Sequence, residues 1–177
     1  MVRPRRFDAV ALHAALDARR GELGLSWKQL AEDVWAQSSE LNARRPFDHP
    51  LAVSTFSGMA KRGAVGAPHA LFMLRWLDQP PEAFLGLDRP LPAACRLPAA
   101  GADRRLRWNL KQLYAELNEQ RQYEGLTWAQ LATQLHCTPS QLTGIRTAKF
   151  GLAMHVAMAI TQWLQKPAAY FIRAAEW

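Results

Sequence analysis

The chain contains the same stretch of sequence twice. Residues 12–34 align with residues 113–135 at an offset of 101, and ten of the 23 aligned positions are identical. The blocks GLSWKQLA (24–31) and GLTWAQLA (125–132) carry most of these identities. Self-similarity at a fixed offset indicates that one structural unit is written twice, so the fold has to be built from two related halves.

The alignment resumes further along at a smaller offset. VSTFSGM (53–59) falls on PSQLTGI (139–145), and WLDQPPEAFL (76–85) falls on WLQKPAAYFI (163–172). The offset drops from 101 to 86, so copy one carries 15 extra residues at about 36–50. This insert is polar and holds two prolines, which predicts a loop or a short extra helix.

We divide the 177 residues into two domains and a linker. Copy one takes residues 1–86, and copy two takes residues 104–177. The Pro- and Ala-rich segment 87–103 joins them, and its prolines forbid a long helix there. Each copy is small but can bury a modest core without a metal or a disulfide.

Apolar residues recur at helical spacing, and no segment alternates with period two over a useful length. The clearest stripe contains four leucines: Leu106, Leu110, Leu113 and Leu117. We therefore predict an all-α fold with about five helices per copy.

Helix starts are marked by capping boxes, in which a Ser or Thr is followed three residues later by Gln. The three pairs are Ser26 with Gln29, Thr127 with Gln130, and Thr138 with Gln141. In copy two they predict a helix over 128–135, a turn at His136 and Cys137, and a second helix beginning at Pro139.

The block GLTWAQLATQLHCTPSQLTGIRTAK (125–149) resembles the helix-turn-helix of the lambda repressor/Cro-like family of regulators, often called XRE-like. The resemblance covers all five predicted helices of copy two. It covers copy one less well, because of the insert. It implies a recognition helix whose exposed residues enter the DNA major groove.

The resemblance assigns DNA-binding residues in both copies. In copy two, the base-facing set is Ser140, Gln141, Thr143, Gly144 and Thr147, and the phosphate contacts are Arg146 and Lys149. In copy one, the matching set is Ser54, Thr55, Ser57 and Gly58, with Lys61 and Arg62 near phosphates. Gln141 is suited to pair bidentately with adenine.

Three departures from the family pattern weaken the parallel. Trp27 and Trp128 stand where the family often has Gln, and they either cover the core edge or lie against sugar-phosphate. His136 replaces a turn glycine, and the insert replaces the tight turn of copy one.

The run RPRR (3–6) is either an arm for the minor groove or a solvated tail.

The net charge of +7 suits a polyanionic partner, since neutralising phosphates releases counterions. Residues 1–101 carry 13 basic and 10 acidic side chains, net +3, and residues 102–177 carry 9 and 5, net +4. We expect no membrane span, no signal peptide, no metal, no cofactor and no enzymatic activity. Two cysteines are too few for a disulfide scaffold, which favours a reduced, cytoplasmic protein.

These observations favour a sequence-specific double-stranded DNA-binding protein, a transcriptional regulator that acts as a covalent pseudo-dimer. The alternative is a protein-interaction module of the same fold, antitoxin-like or an assembly adaptor. A homodimer or a complex with another protein is also possible. A third hypothesis is binding of single-stranded nucleic acid, whose bases would stack on exposed aromatic rings.

Overall fold

A computed structural model describes residues 3–147 and 151–177 of the chain. The first half contains five α-helices: α1 (Ala9–Glu22), α2 (Trp27–Ala36), α3 (Ser39–Arg44), α4 (Val53–Arg62) and α5 (Ala67–Leu77). The second half contains α6 (Leu110–Tyr123), α7 (Trp128–Leu135), α8 (Pro139–Thr143) and α9 (Met154–Trp163). Short 3₁₀ helices span Pro81–Phe84, Ala93–Cys95, Gly144–Thr147 and Ala168–Phe171.

The fold is mainly helical, as the helical spacing predicts, and it contains in addition two short strands that were not predicted. β1 (Arg105–Trp108) pairs antiparallel with β2 (Ile172–Ala175), from Arg105 opposite Ala175 to Trp108 opposite Ile172. Each strand has four residues, too few for an alternating pattern to stand out from the helical stripes beside it. The leucine at position 106, which we placed on a helical stripe, is buried in β1.

The predicted capping boxes form and set where the helices begin. At each of the three N-caps, the hydroxyl oxygen accepts from the main-chain N–H of the Gln, and the Gln Oε1 accepts from the main-chain N–H of the cap. These bonds satisfy N–H groups that have no partner inside the helix. Gly24 and Gly125 have φ of 67° and 66°, which ends the preceding helix in both copies.

A backbone bridge relates the two copies by an approximate two-fold axis. The N–H of Ala67 donates to the carbonyl of Leu152 at 2.7 Å, and the N–H of Met154 donates to the carbonyl of Val65 at 2.9 Å. With an offset of 87, positions 65 and 67 correspond to 152 and 154, so each partner repeats the contact of the other. This reciprocity is the signature of an isologous interface.

One hydrophobic core runs through both copies. It contains the buried faces of α1, α2, α4 and α5 together with those of α6, α7 and α9. The equivalent helices α5 and α9 touch, and β1 of copy two packs against α5 of copy one. Trp108 of β1 is buried there and donates its Nε1–H to the carbonyl of Ala67 at 3.3 Å.

The N-terminal segment of copy one also packs on copy two. The main-chain N–H of Arg5 donates to Gln162 Oε1 at 2.8 Å, and Gln162 Nε2 donates to the carbonyl of Arg5 at 2.9 Å. The ring of Phe7 is 2 % exposed. Part of the basic run 3–6 is thus bound to α9. This part of the run is therefore not a freely solvated tail.

Arg75 of α5 ties the insert and the linker together. Its guanidinium donates at 2.7–3.1 Å to Ser38 Oγ and to the carbonyl oxygens of Gln37, Ala100, Gly101 and Arg104. The carbonyl of Ala102 accepts from the first N–H groups of α3. The insert therefore forms a short helix, one of the two predicted outcomes, and the end of the linker lies against it.

Within the described ranges, no helix has the length and apolar character needed to cross a bilayer.

Candidate nucleic-acid interface

Copy two has the tight turn that the sequence predicts. α7 ends at Leu135, and His136 adopts a left-handed conformation with φ of 53°. Thr138 then caps α8, which begins at Pro139. The α-helical hydrogen bonding lasts only five residues and continues as a 3₁₀ helix over Gly144–Thr147.

Burial distinguishes an inner from an outer face of this segment. Leu142 and Ile145 are 0 % and 3 % exposed and anchor the helix to the core. The exposed positions are Ser140, Gln141, Thr143, Arg146 and Thr147, and Gly144 is half-buried. Lys149, the remaining predicted phosphate contact, lies outside the described residues.

The side chain of Gln141 is engaged by the helix itself. Its Oε1 accepts from the main-chain N–H of Thr138 at 2.8 Å and from Thr138 Oγ1 at 3.2 Å. Bidentate pairing with adenine uses the amide oxygen as the acceptor of the base amino group. Reading adenine would therefore require Gln141 to leave its capping box.

Copy one presents a longer and plainer helix at the equivalent place. α4 is a continuous ten-residue helix, anchored by the fully buried side chains of Phe56 and Met59. Its outer positions are Ser54, Ser57, Lys61 and Arg62, which are exposed, and Thr55 and Gly58, which are half-buried. The Arg62 guanidinium lies over Gly58, where a Cβ would stand 2.7 Å from Arg62 Nη1. Gly58 thus makes room for a side chain of its own helix.

Both helices lie in stretches of sequence without carboxylates. No Asp or Glu occurs between positions 49 and 77 or between positions 125 and 175. Arg62 and Arg146 project from these stretches into solvent. A polyanion approaching either helix would meet positive charge without a neighbouring acidic side chain on the same segment.

Trp27 and Trp128, at matching positions of the repeat, have the same packing in both copies. Trp27 stacks on His13 at 4.8 Å between ring centroids, and the Arg20 guanidinium lies 5.0 Å above its ring. Trp128, Tyr114 and Arg121 repeat the arrangement at 5.7 Å and 4.5 Å. Both indoles pack against the core. This agrees with the interpretation that the two tryptophans cover the edge of the core.

The two outer helices stand in equivalent places around the two-fold bridge. α4 ends three residues before Val65, and the described part of the 3₁₀ helix that follows α8 ends at Thr147, five residues before Leu152. In both copies the outer helix thus lies a few residues before the bridge in the sequence.

A group of arginines beside α4 was not predicted from the sequence. Arg45 of the insert and Arg105 and Arg107 of β1 line one cleft, which also contacts Thr55 of α4. The signals were present as the runs ARRPFD (43–48) and RRLRW (104–108). Only the pairing of β1 with the end of the chain, and its packing beside the insert, brings them together.

No protein family, no curated protein and no solved structure shows a match to the chain. In the described part of the chain, no group of three His, Cys, Asp or Glu side chains is placed to hold a metal ion.

Proposed function

We propose that the protein binds double-stranded DNA sequence-specifically and acts as a transcriptional regulator. The observation that carries the proposal is the two-fold backbone bridge, because it joins two equivalent outer helices through one shared core. A helix-turn-helix dimer reads two half-sites about one helical turn, roughly 34 Å, apart. Here both halves of such a reader belong to one chain.

The proposed mechanism divides the contacts by chemistry. Ser140 and Thr143 offer hydroxyl groups to base edges in the major groove, and Arg146 contacts a phosphate near the helix end. In copy one, Ser54 and Ser57 take the base-facing role. Because the two sets differ, the two half-sites need not be identical, and occupancy of the operator would block or recruit other proteins.

Selection from random duplex DNA tests the proposal directly. We expect enrichment of a bipartite motif with two dissimilar half-sites, centred about 10 base pairs apart. If no duplex is enriched at moderate salt, the regulator proposal is wrong.

A set of three variants separates base reading from phosphate binding. Arg146→Ala should weaken all duplexes alike and reduce the slope of log affinity against log salt by about one. Gln141→Ala should change the preferred sequence. Gln130→Ala is its control, since it removes the same capping partner from α7 without touching the recognition helix. Equal, sequence-blind losses for Gln141→Ala and Gln130→Ala would exclude Gln141 as a base reader.

A protein-interaction module is the second candidate function. The plain outer surface of α4, where the base-facing positions are Ser, Thr, Ser and Gly, favours it. The same selection distinguishes the two candidates, because a pure interaction module would enrich no duplex.

A further inference from the structure

The insert of copy one forms part of a cleft that residues of both copies line. Its walls are the insert loop, the sides of α2 and α5, strand β1 and the C-terminal residue Trp177. The cavity measures 470 Å³. This volume lies within the range of small-molecule sites, about 300–1,000 Å³.

A buried arginine forms the inner part of the cleft. Arg105 is 2 % exposed, and its guanidinium lies 4.5 Å from the ring centroid of Trp35. It donates to Asp48 Oδ2 at 2.6 Å and to Asn42 Oδ1 at 2.8 Å. Its Nε–H is buried and has no acceptor among the described residues. Buried donors without an acceptor are rare in folded proteins.

Positive charge in the cleft exceeds what the protein neutralises. Arg45 and Arg105 both bind Asp48, and this pairing lowers the pKa of Asp48 to about 2, so it supplies one full negative charge. Arg107 Nε donates to a main-chain oxygen of Trp177, and Arg173 lies directly opposite Arg107 in the sheet. Like charges opposite each other destabilise a strand pair.

Burial lowers the pKa of Arg107, and the neighbouring charges of Arg105 and Arg45 lower it further, while Asp48 opposes them. A bound anion beside Arg107 would relieve this repulsion, because an opposite charge within a few ångströms favours the charged form.

Aromatic rings line the same cleft and reach its rim. Trp35 packs against Phe72 with ring centroids 5.6 Å apart. Phe47 is 92 % exposed at the tip of the insert loop, and Trp177 is 50 % exposed at the other side. Exposed rings beside arginines are the surface that a planar, negatively charged molecule would cover by stacking.

We propose that this cleft binds a free mononucleotide, with the phosphate held by Arg45 and Arg107 and the base stacked on Phe47 and Trp177, while the buried Arg105 adds positive charge behind them. Arginine is suited to phosphate because its planar fork donates two parallel hydrogen bonds. The base supplies the planar surface that inorganic phosphate lacks. The site combines the insert of copy one with β1 and Trp177 of copy two.

Tryptophan fluorescence and calorimetric titration of the full chain test the proposal without DNA. The probes are AMP and GMP, the matching nucleosides, ribose 5-phosphate, inorganic phosphate and a short single-stranded oligonucleotide. We expect saturable binding of a mononucleotide, with affinity at least about tenfold weaker when either the base or the phosphate is missing.

Two variants locate the site. Arg107→Gln and Phe47→Ala should each weaken mononucleotide binding about tenfold or more. Phe47→Ala is informative even if Arg107→Gln loosens the C-terminus, because the Phe47 ring is almost fully solvent-exposed. Arg96→Gln and Tyr123→Ala are the matched controls: both residues are exposed and lie outside the cleft, and both variants should bind as the parent does.

Three outcomes would overturn the proposal. The first is no titration with any mononucleotide at millimolar concentration. The second is unchanged binding in both cleft variants. The third is equal affinity for inorganic phosphate or tighter binding of a short single-stranded oligonucleotide, which would assign the arginines to a simple anion or to nucleic acid.

Discussion

Glu82 is a buried carboxyl group where the two copies meet. It is 8 % exposed, and its Oε1 accepts from the main-chain N–H of Ala168 in the other copy at 2.7 Å. Its Oε2 has no hydrogen-bond partner in the part of the chain that the structure describes. Burial raises the pKa of Glu82, since a charge is poorly solvated there.

This raised pKa predicts a pH-dependent stability. The folded state holds the Glu82 proton more tightly than the unfolded state, so the contribution of this group is fully present below the unfolded pKa. It is lost as the pH rises through the folded pKa. We expect the free energy of unfolding of Glu82→Gln, relative to the parent, to increase with pH across this interval in urea titrations. A constant difference between pH 4 and pH 8 would contradict a raised pKa at Glu82.

His136 pays a conformational cost at the turn between α7 and α8. Its φ of 53° is unfavourable for a residue with a Cβ, by about 1–2 kcal/mol. His136→Gly should therefore stabilise the protein by about 0.5–1 kcal/mol, less than the full cost because the exposed hydrogen bond from Arg3 is lost.

Gly125→Ala is the control of opposite sign for His136→Gly. Gly125 has φ of 66°, and no atom lies near its missing Cβ, so only the backbone conformation is tested. We expect a loss of about 1 kcal/mol. Chemical denaturation gives the free energy of unfolding of both variants. If His136→Gly destabilises the protein, the contacts of the imidazole contribute more to stability than the left-handed conformation costs.

The helices of this protein are set by their caps as much as by their hydrophobic stripes. α8 shows this most clearly, because five residues are too few for a helix to be stable alone. Its start depends on the reciprocal bonds between Thr138 and Gln141, and its buried face on Leu142.

Removing the cap should loosen the recognition segment selectively. Thr138→Ala should cost about 1 kcal/mol, and Thr138→Ser, which keeps a hydroxyl acceptor, should cost much less. Hydrogen exchange should show faster exchange over 139–145 in the alanine variant. Unchanged protection there would mean that packing through Leu142 holds α8 without its cap.

The shared core predicts that the two copies unfold together. Because α5 and α9 touch and β1 of copy two packs on α5, neither copy buries its apolar surface alone. Calorimetry should show one transition whose van't Hoff and calorimetric enthalpies agree.

Equivalent core variants in the two copies sharpen this test. Leu16 and Leu117 occupy matching positions, and both are 0 % exposed. Leu16→Ala and Leu117→Ala should each cost about 2–5 kcal/mol and lower the same single melting temperature. Two transitions, each shifted by only one of the variants, would show that the copies fold as separate domains.

The local structure of this protein was largely readable from its sequence. The three capping boxes and the turn at His136 and Cys137 follow from interactions between residues a few positions apart. Such interactions leave a short, recognisable spacing in the sequence.

Contacts between distant segments left no such spacing, and only the folded chain reveals them. The pairing of β1 with β2 joins residues 105–108 to residues 172–175, so neither strand is long enough to be recognised alone. The same holds for the bridge between Val65 and Met154 and for the arginines of the insert cleft. These features arise because each copy completes its core with the other, and that requirement belongs to the tertiary packing.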